Sequence, residues 1–358
     1  MKRDIQFSRE HLKQYKIFPT NYLMFVGEPG VVRKSTSAGY GQRIIEAMNR
    51  NLTVTSPAYV NFGPDSGSHV AVIDKMAKVV DGSIALFTGE FGTIVSTSPE
   101  DTYVFLTKMF DSDGTAEKYE HSTRGSGNAV IKRSSLNIIG CTTPDWMLEN
   151  TGYMTGGGFA ARTVFIFEKK KRASHLFYKG IGPSVADLDK MEKALAKDLA
   201  RIGNIKGEAV PETDELAEEM EEWYQKYDSL PPEKGGETFK ARKHVHVLRT
   251  CMTLSLCERD DLIITKAHFE ESKRLLTLVE KGLARGLAQI GRNPHAALLY
   301  KVLDYIEANG PVKKGIVSAY FFKDISPEGI SSIYEVLKAS GEIEELIAEG
   351  TLRIKKKT

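Results

Sequence analysis

A short segment between an apolar stretch and a helical pattern carries the residue types that bind phosphate. Its residues, in chain order, are Gly27, Glu28, Pro29, Gly30, Val31, Val32, Arg33, Lys34, Ser35 and Thr36. Glycines let backbone N–H groups approach phosphate oxygens, and the positive end of the following helix adds to the attraction. The Lys34 ammonium would neutralise β- and γ-phosphates, and the Ser35 hydroxyl would bind Mg²⁺. The segment predicts a phosphate-binding loop, with an ordinary strand–turn–helix connection as the alternative.

The segment departs at two positions from the common pattern G-x-x-x-x-G-K-[ST]. Arg33 stands where that pattern has the glycine before the lysine, and the first glycine, Gly27, lies one residue further away.

This variant loop resembles that of helicase-like ATPases encoded by phages and plasmids, which are related to the AAA+ and superfamily 3 helicases. Four later segments resemble motifs of the same family, in the same order: Ile84–Gly92, Leu136–Pro144, Gly156–Phe167 and Arg242–Cys257. Together the five segments cover roughly residues 20–290. The resemblance implies an α/β P-loop NTPase with an AAA+/RecA-like parallel sheet and an α-helical lid, and it implies ATP and Mg²⁺ as cofactors.

The resemblance also implies catalytic roles at the ends of two strands. Glu90 would polarise the water that attacks the γ-phosphate and would contact Mg²⁺, whereas Gly89 stands where many relatives carry aspartate. Thr142 or Thr143 would hydrogen-bond the attacking water or the γ-phosphate. The alternatives are a strand-end turn for Glu90 and a Thr-Pro turn for the two threonines.

Three arginines have roles that the resemblance implies. Arg162 would be an arginine finger that completes the nucleotide site of a neighbouring subunit, which implies a ring, expected to be a hexamer. The alternative for Arg162 is a salt bridge within its own chain. Arg242 and Arg249 lie seven residues apart on one helical face, so one of them, in the prediction Arg249, would sense the γ-phosphate from the lid. Surface charge is the alternative.

A basic hairpin is predicted just before the strand Leu136–Cys141. Its basic side chains are Lys118, His121, Arg124, Lys132 and Arg133. Such a locally positive element can follow a nucleic-acid backbone. A solvated hairpin without a ligand is the alternative.

The elements that must position these residues form three predicted domains. Strands at Tyr22–Val26, Leu52–Thr55, Ile84–Thr88, Leu136–Cys141 and Thr163–Phe167 alternate with helical patterns, which predicts an α/β domain over residues 1–183. Residues 184–292 are predicted to be helical. Residues 293–358 predict three helices and a hairpin, as in a winged helix, with Ser326 as N-cap and Pro327 at the first helical position. From His295 onward nine Lys/Arg balance nine Asp/Glu, so this domain is expected to bind either protein or duplex DNA.

Composition bounds the class of protein. The 358 residues carry 49 Lys/Arg and 47 Asp/Glu, a net charge of +2, so any nucleic acid must meet locally arranged positive charge. The spacing of the three cysteines, Cys141, Cys251 and Cys257, fits neither a metal site nor a set of disulfides. No apolar run is long enough to span a bilayer. We therefore expect a cytoplasmic protein, in the host cytoplasm if it is phage-encoded.

The leading hypothesis is therefore an Mg²⁺/ATP-dependent DNA helicase or translocase in phage or mobile-element replication. It would act on single-stranded DNA and with a separate primase. An ATP-switched replication initiator or regulator without motor activity is the alternative, and a DNA-packaging ATPase is a third.

Overall fold

The computed structural model describes residues 5–9, 12–111, 118–123, 127–156, 158–171, 182–232, 237–289, 294–346 and 351–354. Contacts divide the chain into two compact units, Met1–Leu283 and Ala284–Thr358. The predicted α/β domain and most of the predicted helical domain thus belong to one compact unit.

The strands of the first unit are β1 (Ile5–Arg9), β2 (Leu12–Ile17), β3 (Tyr22–Val26), β4 (Ser83–Thr88), β5 (Lys118–Thr123), β6 (Gly127–Lys132), β7 (Ser135–Thr142), β8 (Thr163–Phe167), β9 (Gly207–Glu208), β10 (Val210–Pro211) and β11 (Ile263–Ile264). Its helices are α1 (Lys34–Asn49), α2 (His69–Ala77), α3 (Gly92–Val95), α4 (Pro99–Phe110), α5 (Pro144–Gly156), α6 (Phe159–Arg162), α7 (Val185–Ile202), α8 (Asp214–Ser229), α9 (Glu237–Lys240), α10 (Lys243–Glu258) and α11 (Lys266–Gln289), the last of which runs past Leu283.

A parallel sheet forms the centre of the first unit, in the strand order β4-β7-β3-β8. Tyr22 of β3 aligns with Ile138 of β7 and with Thr163 of β8. Phe62 adds one parallel bridge to Ala85, beside β4. The chain leaves β3 toward the β4 side, returns through β7, and then crosses to the other side of β3 as β8. Ligands of open α/β sheets bind at such a reversal, outside the carboxyl ends of the strands. We call that side of the sheet the carboxyl edge and the opposite side the amino edge.

Helices cover both faces of this sheet, as strands made of nearly continuous apolar residues require. On one face the Tyr22 ring packs against Phe110 of α4. Because successive strand residues point to opposite faces, Ile139 faces away from its neighbour Ile138. Ile139 and Ile45 of α1 line a cavity of about 180 Å³ on that other face. The α/β fold predicted from sequence is therefore confirmed.

One predicted strand of this domain is wrong. Leu52–Thr55 forms turns after α1, in which the Leu52 N–H donates to the Asn49 carbonyl oxygen at 3.0 Å. Val54 is 69% exposed, whereas Leu52 packs against the buried side chains of Ala47, Met48 and Ala196. The place next to β4 is taken by the bridge at Phe62 instead.

The small strands of the first unit were not visible in the sequence. β1 and β2 precede Tyr22, where no strand was predicted, and they pair antiparallel with each other, while β1 also pairs parallel with β9. β10 pairs parallel with β11. Strands β9, β10 and β11 lie in the region predicted to be entirely helical, and two residues each are too few for an alternating pattern.

The second unit contains α12 (Pro294–Asn309), β12 (Val312–Lys313), α13 (Lys314–Phe321), α14 (Pro327–Ala339), β13 (Ile343–Leu346) and β14 (Thr351–Ile354). Its antiparallel sheet has the order β12-β14-β13. The predicted N-cap is confirmed, because the Ser326 hydroxyl accepts the N–H of Gly329 at 3.2 Å. Val302, Val317 and Leu337 are among the buried side chains of its core.

No helix in the described ranges combines the length and the apolar character needed to cross a membrane.

Candidate nucleotide-binding site

The segment predicted to bind phosphate, Gly27–Thr36, which we call the phosphate loop, connects the carboxyl end of β3 to the first turn of α1. Lys34 is the first residue of α1, and its Nζ donates to the Gly27 carbonyl oxygen at 2.9 Å. The Gly27 N–H donates to the carbonyl oxygen of Thr142, at the end of β7, at 3.3 Å. These two bonds hold the two ends of the loop together and to the sheet, and residues Glu28–Val31 between them are exposed.

The structure explains why the loop has glycine at both position 27 and position 30. A Cβ at Gly27 would lie 2.4 Å from Cγ2 of Val32 and 2.9 Å from the carbonyl oxygen of Glu168, which are distances no side chain tolerates. Gly30 has φ +70°, in the left-handed region that favours glycine. The loop therefore depends on close backbone approach at Gly27 and on a special backbone conformation at Gly30.

Arg33 adopts a backbone conformation that favours glycine. It precedes α1 with φ 54° and ψ 33°, in the left-handed region. For a residue with a side chain this conformation costs about 1–2 kcal/mol. Strain of this kind concentrates at ligand-binding segments. The arginine at this position thus accepts a strained conformation and adds a positive charge to the loop.

The N-terminus of α1 has features of an anion site. Arg33 makes no side-chain hydrogen bond to the helix, and the first turn contains no acidic residue. The N–H groups of the first turn of a 16-residue helix are therefore directed at the loop without a capping side chain. Together with Lys34, they provide the donors and the positive charge that a phosphate group requires.

Ser35 lies close to the ends of two neighbouring strands. A Cβ at Gly89, which follows β4, would lie 4.0 Å from the Ser35 Cβ. Burial raises the pKa of the Cys141 thiol of β7, while the charge of Lys34 and a hydrogen bond with Ser35 oppose that rise. A side chain at position 89 would therefore point at Ser35. Because residue 89 is a glycine, it brings no carboxylate to Ser35.

Glu90 is held by the turn that follows β4. Its carbonyl oxygen accepts the hydroxyl groups of Thr88 at 2.9 Å and of Thr93 at 2.8 Å, and the residue is exposed. This turn places Glu90 at the carboxyl edge, one residue beyond the position that faces Ser35.

The two threonines at the end of β7 occupy different environments. Thr142 is buried and its carbonyl oxygen binds the phosphate loop, as described above. The Thr143 hydroxyl accepts the N–H of Trp146 at 3.2 Å and so caps α5. Thr143 and Pro144 thus begin a helix instead of forming the turn that was the alternative, and the catalytic role of either threonine stays a prediction.

The described residues contain no group of three or more His, Cys, Asp or Glu side chains that could hold a metal ion. Mg²⁺ in nucleotide sites, however, needs only one or two protein oxygens, because phosphate oxygens and waters complete its shell. Ser35 could supply one of these oxygens, and Glu90 directly follows Gly89, the position whose Cβ would lie 4.0 Å from the Ser35 Cβ. The residues thus fit Mg²⁺ together with a bound nucleotide.

Arg162 lies at the amino edge, at the end of α6 and directly before β8. Its Nε donates to Oδ2 of Asp111 at 2.9 Å, its Nη2 contacts the same oxygen, and its Nη1 donates to the Gly158 carbonyl oxygen at 2.9 Å. The intrachain salt bridge that was the alternative is present, and the finger role stays a prediction. No sequence signal pointed to Asp111, which simply follows α4.

Arg249 does not occupy a lid position. Its Nη1 donates to the carbonyl oxygen of Thr20 at 2.7 Å, and its guanidinium lies 3.8 Å from the centre of the Phe110 ring. Thr20 precedes β3, a strand of five residues that is about 16 Å long. Arg249 is therefore buried at the amino edge, far from its own phosphate loop, and both the sensor and the surface-charge interpretations are corrected.

The helix that carries Arg249 also packs at the amino edge. Nε2 of His246 in α10 donates to the Ala161 carbonyl oxygen at 2.9 Å, and burial lowers the pKa of His246 to about 3. The segment that resembled a lid helix is thus attached to the edge opposite the phosphate loop.

The predicted hairpin is present as β5 and β6, in which Lys118 stands directly opposite Lys132. Lys118 also pairs with Glu120 at 2.6 Å. Lys132 and Arg133 are exposed, whereas Arg124 lies outside the described residues.

The predicted contact of His121 with nucleic acid is wrong. Its Nε2 is buried, and its ring packs edge-on against His69 at 6.3 Å. The side chain therefore faces the protein rather than a nucleic acid.

No protein-family model matches the chain, and no curated protein matches it. Among solved structures it is similar to that of the Aeropyrum pernix ORC2 protein in ADPNP–ADP complexes. The two share 11% identity over 98% of this chain and 86% of that chain, with a TM-score of 0.26. A TM-score this low does not establish a shared fold, so we infer function from the residues of this chain alone.

Proposed function

We propose that the chain is an Mg²⁺-dependent ATPase. The observation that carries the proposal is the phosphate loop: Lys34 begins an uncapped helix at the carboxyl edge of a parallel sheet, and its Nζ lies 2.9 Å from the Gly27 carbonyl oxygen. The loop sits where the strand order reverses, which is the ligand position of such sheets. Positive charge, exposed backbone and a nearby hydroxyl together match a nucleoside triphosphate.

The residues around the loop would divide the chemistry among them. Phosphoryl transfer needs mostly positioning and charge stabilisation. Lys34 would hold the β- and γ-phosphates, and Glu90 would orient the attacking water from the turn after β4. Mg²⁺, when bound, would neutralise charge on the phosphate oxygens, with Ser35 and Glu90 as its protein contacts.

The ATPase would drive a DNA helicase or translocase of the AAA+ or superfamily 3 type in phage or mobile-element replication. Arg162 would act in a neighbouring subunit, because it lies at the edge opposite its own phosphate loop. If each subunit supplies its Arg162 to the next subunit, the subunits must form a closed ring or a filament. The proposed form is a hexameric ring. A primase on a separate chain would complete the replication system.

Single-stranded DNA would contact the β5–β6 hairpin. Lys118 and Lys132 stand opposite each other, and like charges at such positions destabilise a hairpin unless negative charge lies close to them. Glu120 offsets one of these charges, and a DNA phosphate would offset the other.

The second unit would be a winged-helix domain that binds protein. It has the helix–strand–helix–helix–strand–strand order of that fold. The exposed residues of α14 include Glu328, Ser331, Ser332 and Glu335, whereas Lys338 is paired with Glu335 and Glu345. A DNA phosphate backbone would be repelled by this acidic face.

A second candidate function is an ATP-switched replication initiator or regulator without motor activity. Two observations favour it: position 89 carries no carboxylate beside Ser35, and Arg162 is bound to Asp111 of its own chain. A site built in this way would bind ATP and hydrolyse it slowly.

The experiment measures ATP hydrolysis without DNA, with single-stranded DNA and with duplex DNA, together with strand displacement. Lys34→Ala should abolish hydrolysis, while Lys75→Ala, which removes an exposed lysine of α2, serves as the matched control. Stimulation by single-stranded DNA with strand displacement supports the motor. Hydrolysis that DNA does not stimulate supports the regulator. Full hydrolysis by Lys34→Ala would refute the ATP site itself.

A further inference from the structure

Among the residues that the structure describes, three arginines and one carboxylate lie together at the amino edge of the central sheet. We call them the arginine cluster: Asp111, Arg162, Arg242 and Arg249. Asp111 accepts from both Arg162 and Arg242. The Arg162 Nε lies 2.9 Å from Oδ2, and the Arg242 Nη1 lies 2.8 Å from Oδ1. One carboxylate thus binds two guanidinium groups that come from distant parts of the chain.

The cluster carries more positive than negative charge. Its three guanidiniums face one carboxylate, a net charge of +2 for these four side chains. Arg249 below them is buried and bonded to two carbonyl oxygens, which carry no charge. Burial lowers the pKa of Arg249 to about 9, and the charges of Arg242 and Arg162 act in the same direction. His246 beside them is neutral, since its pKa is about 3.

The two guanidiniums that share Asp111 are held differently. Arg162 is anchored a second time by the Gly158 carbonyl oxygen, and its side chain is 11% exposed. A Cβ at Gly158 would lie 2.7 Å from the Arg162 Nη1, so the glycine makes room for this anchor. Arg242 is 34% exposed and Asp111 35% exposed. Asp111 and Arg242 are therefore both partly open to solvent, whereas Arg162 is held in place beneath the surface.

We propose that Asp111 is an internal anion that a terminal phosphate displaces, the phosphate belonging to a nucleotide in the phosphate loop of a second copy of this chain. This inference rests on the proposed ATPase function. Guanidinium groups bind phosphate and carboxylate with the same paired geometry, so one can replace the other. A phosphate with two negative charges would neutralise the cluster better than the single charge of Asp111.

The phosphate must come from another copy. The cluster lies at the amino edge, and its own phosphate loop follows the carboxyl end of β3, about 16 Å away. In a free chain Asp111 therefore keeps Arg162 and Arg242 paired and positioned. On assembly the terminal phosphate of the neighbouring nucleotide takes the place of Asp111 between Arg162 and Arg242, so Asp111 sets how readily copies assemble around ATP.

The first test uses sedimentation velocity to find the protein concentration at which the slowly hydrolysed analogue ATPγS causes half of the chains to assemble. Asp111→Asn keeps the size of the side chain and removes its charge, and it should lower that concentration about tenfold, as expected for one charge-assisted contact. Asp261→Asn, which breaks the exposed pair with Arg259, is the matched control and should leave the concentration unchanged. An unchanged or higher concentration for a folded Asp111→Asn protein overturns the proposal.

Arg242→Gln keeps the test decisive if Asp111→Asn does not fold. This variant removes the more exposed guanidinium and should raise the half-assembly concentration about tenfold, while a fluorescent ATP analogue binds the single chain as before. Assembly equal to that of the unaltered protein would contradict the proposal.

Mixing two inactive variants tests the contribution between copies. Lys34→Ala lacks the phosphate contact and retains Arg162, whereas Arg162→Ala retains the loop and lacks the finger. Hydrolysis should reappear in the mixture, because interfaces form that combine an intact loop with an intact arginine. Absence of recovery with both proteins assembled overturns the proposal. Failure of the unaltered protein to bind the fluorescent ATP analogue would instead refute the ATPase function on which it rests.

Discussion

Gly89→Asp should strengthen the binding of Mg²⁺ together with ATP. The position follows β4, and a Cβ there would meet only the Ser35 Cβ, at 4.0 Å. Gly89 does not use the left-handed backbone conformation, so an aspartate fits without strain. The new carboxylate would point toward the hydroxyl that we propose as the Mg²⁺ contact.

The size of the effect follows from Coulomb's law. A carboxylate about 5 Å from a divalent cation gains about 2 kcal/mol at the dielectric constant of water. A gain of this size corresponds to a decrease of about twentyfold in the Mg²⁺ concentration for half-maximal effect. The thermal stability of the protein without ligand should change little, because the position is exposed and uncrowded.

The assay titrates Mg²⁺ at a fixed concentration of a fluorescent ATP analogue and measures binding, with hydrolysis as a second readout. Gly89→Asn has nearly the same size without the charge and is the matched control. If the aspartate and asparagine variants require the same Mg²⁺ concentration, the carboxylate does not reach the cation and the geometry proposed for Ser35 is refuted.

Three further predictions concern the phosphate loop and the packing of α10. Gly27→Ala should lower the free energy of unfolding by about 1–3 kcal/mol and weaken nucleotide binding, because its Cβ has no space. Gly30→Ala meets open space and should lower the free energy of unfolding by about 1–2 kcal/mol through backbone strain alone. If titrations show that the two variants lose nucleotide affinity equally, this difference between the glycines is contradicted. His246 has a pKa of about 3 in the folded chain against 6.5 when exposed, so the unfolded chain takes up the proton and stability falls as the pH drops from about 6.5 toward 3. His246→Gln should remove up to about 1.4 kcal/mol per pH unit of that fall in denaturation series, and an unchanged pH dependence would contradict the burial of the neutral ring. Lys243→Ala leaves Glu280 buried without its ion pair and should cost about 3–5 kcal/mol in urea denaturation, and a loss below 1 kcal/mol would show that Glu280 is solvated.

The central strands and the phosphate loop could be predicted because their signals are local. Tyr22–Val26 and Thr163–Phe167 are strands with the predicted ends, since a run of apolar residues reports burial on both faces wherever it occurs. Ser326 caps α14 as predicted, because a cap involves residues only three positions apart. The glycines at 27 and 30 likewise reflect the backbone of their own turn.

Elements that depend on a distant partner were predicted wrongly or missed. Leu52–Thr55 has the composition of a strand, but the sheet position beside β4 is taken by the bridge at Phe62. β1 and β9 pair between Ile5 and Gly207, about 200 positions apart, and the two residues of β9 are too few to form a pattern. Local composition cannot report whether a sheet edge is free to receive a segment.

The functional residues likewise divide into those whose conformation follows from the local sequence and those whose role depends on distant partners. By itself, the sequence determined that Lys34 and Ser35 begin a helix after a glycine-containing turn, because those positions are adjacent and their conformations follow from residue type. Only the tertiary structure decided that Arg249 is buried, that His121 faces His69, and that Asp111 binds Arg242 from 131 positions away. A guanidinium is equally compatible with solvent, a carbonyl, a carboxylate or a phosphate. Its role is therefore decided by the partners that the fold brings to it.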